Sequence, residues 1–445
     1  INGIIMKKQC CLVFDVGKTN QKYFLFDADY KILKREKVTL LKIEDENGDS
    51  AENIQGIVAW MKQSFENLLE SRDFEFDKVS FSGFGATLVH LDDMGEVVTP
   101  VYDYHKKVEV DTFTPFYKNY GPEPIFASQT GSKNLNLLNS GKQLYWLKYK
   151  RPELFKKIRY SLHLPQYLSY IFTGEMFTEF TSIGCHTDLW NYQEKNYHHW
   201  VKKEGIDRLF PPLVETQKTI TKKIKGREIT FGIGIHDSSS ALLTYLMKGK
   251  ESFILLSTGT WCINFNPFSN DSLFDEKQID AGATAYMKID GSPVKSSRLF
   301  LGEEHRLKVE KLITHFDKPK FYHRGLEWSE QFMEGTHSKS KNYFHWNYLD
   351  NHQAPSKDDL DFPNFETAYY QMMKELIDLL TNQIDVICET LPKKIYIDGG
   401  FSDNKIFLTL LKKKYPQQKI KAKPASFACA MGAAQLINQN VQQLN

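Results

Sequence analysis

The chain alternates short apolar runs with turns built from glycine and small polar residues, a pattern typical of an α/β protein. Two stretches predict hairpins: residues 10–27 turn at Gly17, and residues 253–264 turn at Gly259. In each, an apolar strand runs into a small polar turn and returns as a second apolar strand.

The two hairpins resemble each other and each opens one half of the chain, which predicts a duplicated domain. A strand–turn–strand likeness of this length also arises by chance. With the boundary placed near 248–250, the predicted domains span 6–248 and 249–445. Other apolar patterns predict helices at 51–72, 140–158, 163–173, 364–390 and 405–413, a strand pair around a glycine turn at 79–92, and an extended segment at 97–104.

The segment 231–241 is where we place the chemistry. It begins as a small apolar strand, turns at His236 and Asp237, and continues through three serines into an apolar helix. The amides at a helix N-terminus favour an ionised carboxylate. On this stretch alone, Asp237 as a plain helix cap is the simpler interpretation. The glycine turns elsewhere, which suit nucleotide binding, favour a chemical role.

The first hairpin turn carries small and polar residues after Asp15. Such a turn can offer backbone N–H groups and hydroxyls to phosphates. Asp15, at the end of the strand, is placed to orient Mg²⁺ or its waters. Tight hairpins with the pattern Asp-x-Gly are nevertheless common, so a turn without a phosphate role stays an alternative.

A buried strand at 394–398 ends in Gly399 and Gly400, and a helix starts at Lys405. This arrangement lets a flat ring approach the backbone, and we interpret it as the adenosine contact. The small residues of 428–434 predict a helix that packs closely at the seam of the two domains.

Composition narrows the class of protein. The 57 basic and 55 acidic side chains nearly balance, which argues against a nucleic-acid partner. No apolar run approaches the ~20 residues of a membrane helix, and the run before Asp15 is too short for a signal peptide. Met6 is a candidate natural start, which would make 1–5 an upstream remnant. The six scattered cysteines contain no CxxC pair, which favours a reducing cytoplasm and no structural metal.

From Asp15 to Gly432 the motifs resemble, in order, those of the FGGY carbohydrate kinases of the actin/hexokinase/Hsp70 ATPase superfamily. Residues 15–19 and 257–260 look like the two phosphate motifs, and 398–404 looks like the adenosine motif. Residues 234–237 match the segment with the family's catalytic Asp, and the His-Asp pair there is similar to rhamnulokinases. The resemblance implies two ribonuclease H-like domains with a cleft between them, and ATP and Mg²⁺ as cofactors.

The resemblance also implies site residues. Asp237 is the catalytic residue, and Asp15 is the metal residue. The cofactor-binding residues are Gly17, Lys18, Thr19, Asn20, Lys22, Thr258, Gly259, Thr260, Gly399, Gly400, Ser402 and Asn404. The substrate-binding residues are Thr87, His90, Tyr102, Asp103, His236 and Asp237.

Some positions depart from the family pattern. Lys18 stands where small hydroxyl residues are usual, and 101–107 does not align cleanly with the family's sugar segment. The implied reaction is in-line transfer of the γ-phosphate of ATP to a primary hydroxyl of a ketose such as L-rhamnulose, with L-fuculose or xylulose as alternatives. The alternative classes are a sugar- or nucleotide-binding sensor and an ATPase whose acceptor is water. We expect a monomer or homodimer with a small sugar as its partner.

Overall fold

The computed structural model describes residues 7–109, 111–269, 275–337, 342–346, 357–424 and 427–438. Among these residues, the first half of the chain contains sixteen strands and nine α-helices. The strands are β1 Lys8–Val16, β2 Gln21–Phe26, β3 Ile32–Val38, β4 Ile43–Glu44, β5 Ser50–Glu52, β6 Phe74–Gly83, β7 Leu88–Leu91, β8 Val101–Tyr102, β9 Tyr160–His163, β10 Thr178–Glu179, β11 Trp190–Asn191, β12 Asn196–Tyr197, β13 Leu213–Val214, β14 Thr219–Ile224, β15 Arg227–Gly232 and β16 Ile235–His236. The helices are α1 Ile54–Leu69, α2 Thr114–Tyr120, α3 Glu123–Thr130, α4 Ser140–Lys150, α5 Pro152–Phe155, α6 Leu164–Thr173, α7 Phe180–Ile183, α8 His199–Lys203 and α9 Asp237–Leu246.

The second half adds six strands and six helices among the described residues. The strands are β17 Phe253–Thr258, β18 Cys262–Asn266, β19 Ala283–Met287, β20 Pro293–Leu299, β21 Lys394–Gly399 and β22 Lys419–Pro424. The helices are α10 Glu276–Asp280, α11 Leu301–His315, α12 Glu330–Glu334, α13 Phe365–Ile387, α14 Lys405–Lys414 and α15 Ala428–Asn438.

Two large sheets share one strand arrangement. In the first, the order is β14-β15-β6-β1-β2-β3, with β16 also paired to β6. In the second, the order is β19-β20-β18-β17-β21-β22. In each sheet a hairpin strand, β1 or β17, pairs antiparallel with its successor and parallel with the strand after a long helix, β6 or β21. The duplication predicted from the two hairpins is therefore present in the sheets. The division at 248–250 falls between α9 and β17 and stays a prediction.

The elements near the hairpins follow the sequence pattern closely. Helix α1 begins after Asn53, whose side chain accepts a hydrogen bond from the amide of Gly56, as an N-cap residue does.

The helix predicted at 140–158 is wrong in one respect: it is interrupted before Pro152, which lacks an amide proton and starts a separate short helix. The extended segment predicted at 97–104 contains only the two-residue strand β8. None of the described helices combines the length and apolar character needed to cross a lipid bilayer.

Helix α15, although it belongs to the second half of the chain, packs against α9 and the first sheet. The Ser240 hydroxyl donates to the carbonyl of Cys429 at 2.6 Å, and the Thr244 hydroxyl donates to that of Ala428 at 2.9 Å. A Cβ on Gly432 would lie 1.9 Å from the carbonyl oxygen of Ser240. The small-residue helix is thus found where two helices nearly touch, and this contact ties the end of the chain to the helix that starts at Asp237.

We therefore expect Gly432→Ala to destabilise the protein, although Ala is the better helix former. The added methyl group has to push α9 and α15 apart, and overpacking of this kind costs roughly 1–3 kcal/mol or more. The melting temperature should fall by several degrees.

Gly325→Ala is the matched control, because a Cβ on Gly325 meets no atom within 4 Å. Equal melting temperatures for the two variants would contradict the close approach of the helices.

Candidate active site

The carboxyl ends of three neighbouring strands place the principal carboxylates. Strand β6 lies between β1 and β16 and runs parallel to both, so all three strands end at one edge of the sheet. Asp15 on β1 stands opposite Ser82 on β6, and His236 on β16 stands opposite Gly83. Asp237 follows His236 directly. In open α/β sheets this edge is where ligands bind, and it holds the two carboxylates predicted as base and metal residue.

Asp237 occupies the first turn of α9, but it is not the helix cap. His236 holds the N-cap position, and Asp237 is the first helical residue. The Asp237 Oδ1 accepts hydrogen bonds from the amide of Ser238 at 2.6 Å and from its hydroxyl at 3.2 Å. Burial raises the pKa of the Asp237 carboxyl to about 6, against the smaller lowering effects of Ser238 and Lys22. Its side chain keeps 26% of its surface exposed, so a ligand can reach it.

His236 supports this carboxylate as a neutral group. Its Nε2 lies 3.2 Å from Asp237 Oδ1 and 3.3 Å from the Cys185 sulfur. Its backbone amide donates to the hydroxyl of Thr181 at 3.0 Å. Burial lowers the pKa of the His236 imidazole to about 3, so the ring carries no charge at neutral pH. His236 therefore packs against Asp237 without forming an ion pair with it.

Asp15 is the second carboxylate of the edge and is only 5% exposed. The Lys22 ammonium lies 3.6 Å from its Oδ2. Burial raises the pKa of Asp15; Lys22 lowers it, and Asp237 raises it further. Asp15 and Asp237 are therefore close enough to repel each other.

This pair of carboxylates fits a hard divalent cation, which prefers oxygen ligands. Within the described ranges, no group of three or more His, Cys, Asp and Glu side chains could hold a metal ion. A Mg²⁺ site at Asp15 stays a prediction.

In each hairpin turn the glycine amide donates a backbone hydrogen bond that closes the turn. The Gly17 amide donates to the carbonyl of Asn20 at 3.0 Å, and the Gly259 amide donates to that of Trp261 at 2.8 Å. Thr19 and Thr260, one from each turn, line the same cavity of ≈ 440 Å³ between the halves. The structure thus brings the two turns to one opening.

The side chain of Lys18 is directed away from the turn. Its ammonium pairs with Glu52, lies 3.1 Å from the Asp103 carboxylate, and stands 3.9 Å above the Tyr104 ring centroid. Lys42 completes this cluster by pairing with both acids. Of the two lysines predicted at the phosphates, Lys22 is the one beside Asp15.

Thr258 and Gly399 meet where β17 and β21 end. The Thr258 carbonyl accepts from the amide of Gly400 at 2.7 Å, and its hydroxyl accepts from the amide of Phe401 at 3.1 Å. Gly399 has φ +88°, and a Cβ there would lie 1.8 Å from the Thr258 carbonyl oxygen. The backbone itself therefore requires glycine at 399. A Cβ on Gly400 would have only that oxygen nearby, at 3.9 Å.

Two further predicted nucleotide residues hold the same turn together. The Ser402 hydroxyl donates to the carbonyl of Gly399 at 2.7 Å. Asn404 caps α14 through the amide of Phe407 at 2.9 Å, and its side-chain amide donates to the Tyr369 hydroxyl at 3.0 Å. These contacts fix the shape of the turn, and contact with a nucleotide stays a prediction for both residues.

Four predicted substrate residues lie in packed surroundings. The His90 Nδ1 meets the Ser161 hydroxyl at 2.9 Å between β7 and β9, where the buried Thr87 also accepts a backbone hydrogen bond. The Tyr102 hydroxyl donates to Glu46 at 2.8 Å, and Asp103 belongs to the Lys18 cluster. The contacts give these residues structural roles, and their contact with substrate stays a prediction.

Sequence reasoning missed several groups near Asp237. Burial raises the pKa of Cys185, of Tyr104 and of Tyr286, and Asp237 raises each of them further. The three residues come from separate segments and share no motif. No local sequence pattern marks them as a group.

Residues 10–243, more than half of the sequence, match the family described as "FGGY family of carbohydrate kinases, N-terminal domain".

Solved structures resemble nearly the whole chain. A carbohydrate kinase from Novosphingobium aromaticivorans is 21% identical with a TM-score of 0.76, covering 97% of this chain and 92% of that one. A xylulose kinase from Lactobacillus acidophilus is 16% identical with a TM-score of 0.78, covering 96% and 89%. A gluconate kinase from the same organism is 16% identical with a TM-score of 0.76, covering 96% and 88%. At these identities the likeness confirms the predicted α/β fold.

The pKa of Asp237 gives a prediction about stability. In the folded state the carboxyl binds its proton more tightly than in the unfolded chain, so stability falls as pH rises through the interval from about 4 to about 6. Asp237→Asn removes this dependence. Without ligands, the advantage of the Asn variant over the parent should grow by about 1 kcal/mol or more between pH 5 and pH 8.

Urea denaturation at both pH values measures this advantage. Asp93→Asn, in an exposed turn, is the control and should show no such growth. A constant difference for Asp237→Asn would mean that its pKa is not raised.

Proposed function

The chain belongs to the FGGY family of carbohydrate kinases, and from this premise we propose that it transfers the γ-phosphoryl group of ATP to a primary hydroxyl of a sugar or sugar derivative, with Asp237 as the general base. The observation that carries this proposal is the position of Asp237 at the carboxyl edge of β1, β6 and β16, beside Asp15. Its carboxyl is partly buried there, and burial raises its pKa to about 6, close to the operating pH of such a base. Its partly exposed side chain leaves room for a substrate hydroxyl.

The chemistry assigned to Asp237 is a single proton transfer. As the sugar oxygen attacks the γ-phosphorus, its O–H bond breaks and the proton passes to the Asp237 carboxylate. The bond between the γ-phosphorus and the bridging oxygen of ATP breaks, and ADP leaves with that electron pair. Lys22 favours the ionised form of Asp237, and neutral His236 adds no competing charge.

Asp15 is the residue that would hold Mg²⁺, directly or through water. When bound, the ion supplies positive charge that offsets the phosphate oxygens. The turns at Gly17 and Gly259 would present backbone amides to the phosphates, and their shared cavity supports this assignment. Gly400 is the open position at which adenine would approach the backbone.

The substrate proposed from the sequence is a ketose such as L-rhamnulose, and its support is the His236–Asp237 pair. L-Fuculose and xylulose are the neutral alternatives. A sensor without catalysis, or an ATPase whose acceptor is water, is tested in the same assay. ADP release that depends on a sugar supports the kinase, sugar-independent release supports the ATPase, and binding without ADP release supports the sensor.

Asp237→Asn tests the base directly. The amide cannot accept the proton, so kcat should fall roughly 10²- to 10⁴-fold, while calorimetry should still detect sugar and nucleotide binding. In the parent enzyme, kcat/KM should decline as pH falls below about 6, because the carboxyl then takes up a proton.

Asp93→Asn serves as the control and should keep the parent's activity and pH profile. A turnover within a few-fold of the parent in Asp237→Asn would remove Asp237 from the role of base.

The nucleotide site is tested at Gly400 instead of Gly399. Gly399→Val would force a side chain against the Thr258 carbonyl at a positive φ, so a loss of binding there would report on folding. Gly400→Val adds bulk in open space. We expect it to weaken ATP binding at least ten-fold by calorimetry while the melting temperature changes little.

Gly325→Val, also in open space, is the control. Unchanged ATP affinity in a folded Gly400→Val variant would move the adenine contact elsewhere.

A further inference from the structure

Arg298 projects from the second sheet toward the first half of the chain. It lies on β20 opposite Ile263 of β18. The preceding residue, Ser297, points to the other face of the sheet, where its hydroxyl donates to the carbonyl of Gln383 in α13 at 2.6 Å. Since successive side chains of a strand alternate between faces, Arg298 faces away from α13.

The Trp261 ring lies beside the Arg298 guanidinium, next to the cavity between the halves. The Arg298 Cζ lies 5.5 Å from the Trp261 ring centroid, and Trp261 in turn lies 4.3 Å from the Phe300 ring centroid. Trp261, Phe300 and Tyr104 line the ≈ 440 Å³ cavity between the halves. A cavity of this size is typical of small-molecule sites.

Within the part of the chain that the structure describes, no carboxylate forms an ion pair or hydrogen bond with Arg298. Arg306, by contrast, is held by Glu303 and Glu310, and Arg151 lies near Glu109. Burial lowers the pKa of the Arg298 guanidinium, and the groups that act against this are the Tyr286, Cys185 and Tyr104 side chains. Arg298 is half-buried, and a cation held partly out of water without an anion beside it is costly, so an anionic ligand is the natural complement of this site.

Arg298 and Asp237 have opposite effects on the pKa values of the same three side chains. Asp237 raises the pKa of Cys185, Tyr104 and Tyr286, and Arg298 lowers the pKa of each. The cation that acts on the pKa of Asp237 itself is Lys22. A phosphoryl group in transfer must lie beside the base, so Lys22 is better placed than Arg298 to meet it. These three groups therefore lie within reach of both the base and a second, cationic end.

We propose that Arg298 binds a carboxylate of the substrate, at the end remote from the hydroxyl that is phosphorylated, and that the chain therefore acts on sugar acids. This inference rests on the proposed kinase function and specifies its substrate class. The planar guanidinium can donate two parallel hydrogen bonds to a carboxylate. A neutral ketose would leave that charge without a partner. An aldonate has its carboxylate and its terminal primary hydroxyl at opposite ends, as the two charged sites require.

The test compares acids with neutral partners of the same carbon skeleton. Hexonates and pentonates, including D-gluconate, are assayed beside the corresponding alditols and beside L-rhamnulose, L-fuculose and xylulose. Steady-state KM and kcat are measured for phosphorylation, and calorimetry measures binding to Asp237→Asn, which cannot turn over. We expect at least one acid to be preferred over its alditol and over the ketoses.

Arg298→Gln should raise the KM and the Kd for that acid roughly 10- to 100-fold, the loss expected for a charge-assisted pair. The KM for ATP and the kinetics of neutral sugars should stay within about two- to three-fold of the parent. Arg298→Lys keeps the positive charge but cannot donate two parallel hydrogen bonds. Its KM and Kd for the acid should lie between those of the parent and those of Arg298→Gln. Arg306→Gln, which removes an exposed guanidinium held by its own helix, is the matched control and should behave as the parent.

Other outcomes separate the two proposals. Preference for neutral ketoses, with Arg298→Gln kinetically unchanged, would overturn the acid assignment and leave the kinase intact. A fall in kcat for all substrates, or a raised KM for ATP, in Arg298→Gln would assign Arg298 to the phosphoryl group. That result would also overturn the acid assignment. If no compound were phosphorylated, the kinase proposal would fail, and calorimetry of the acids with and without Arg298 would still decide the inference. Melting temperatures of the Arg298 variants at or above that of the parent verify folding.

Discussion

The close approach of α9 and α15 is the constraint on which the rest of the molecule depends. Gly432 brings its backbone against the carbonyl of Ser240, and two hydroxyls of α9 donate to carbonyls at the start of α15. Helix α9 begins at Asp237, and α15 follows the last strand of the second sheet. The contact therefore holds the catalytic edge of the first sheet in a fixed relation to the second half. A larger side chain at 432 would separate them.

The edge that this contact fixes is electrostatically unbalanced. Asp15 and Asp237 lie close together in a buried setting, with Lys22 beside Asp15. Burial raises the pKa of both carboxyls, so their ionised forms are held at a cost to stability. A metal ion, phosphates and a substrate hydroxyl would satisfy these groups. The Arg298 guanidinium is likewise a charged group without a counter-ion among the described residues, but its charge is positive. Such uncompensated charges are typical of sites that are completed by their ligands.

Lys18 illustrates how tertiary contacts can redirect a residue within a correctly predicted turn. The turn itself follows from local chemistry: apolar strands, a glycine and small polar residues. The ammonium, however, is drawn to Glu52 and Asp103, which come from β5 and from the segment after β8. Gly399 is similar, since its glycine is required by the carbonyl of Thr258 in another strand.

The sequence by itself determined the two hairpins, the helix that starts at Asp237, the glycine turn after β21 and the small-residue helix α15. These features depend on local periodicity, turn chemistry and backbone freedom, which neighbouring residues carry. Only the tertiary structure decided that β1, β6 and β16 end together, that His236 is neutral, and that His90 and Tyr102 are packed. It alone also placed Cys185, Tyr104 and Tyr286 near Asp237, and Arg298 near those three side chains. Burial and charge proximity arise between residues distant in the chain, so no local pattern specifies them.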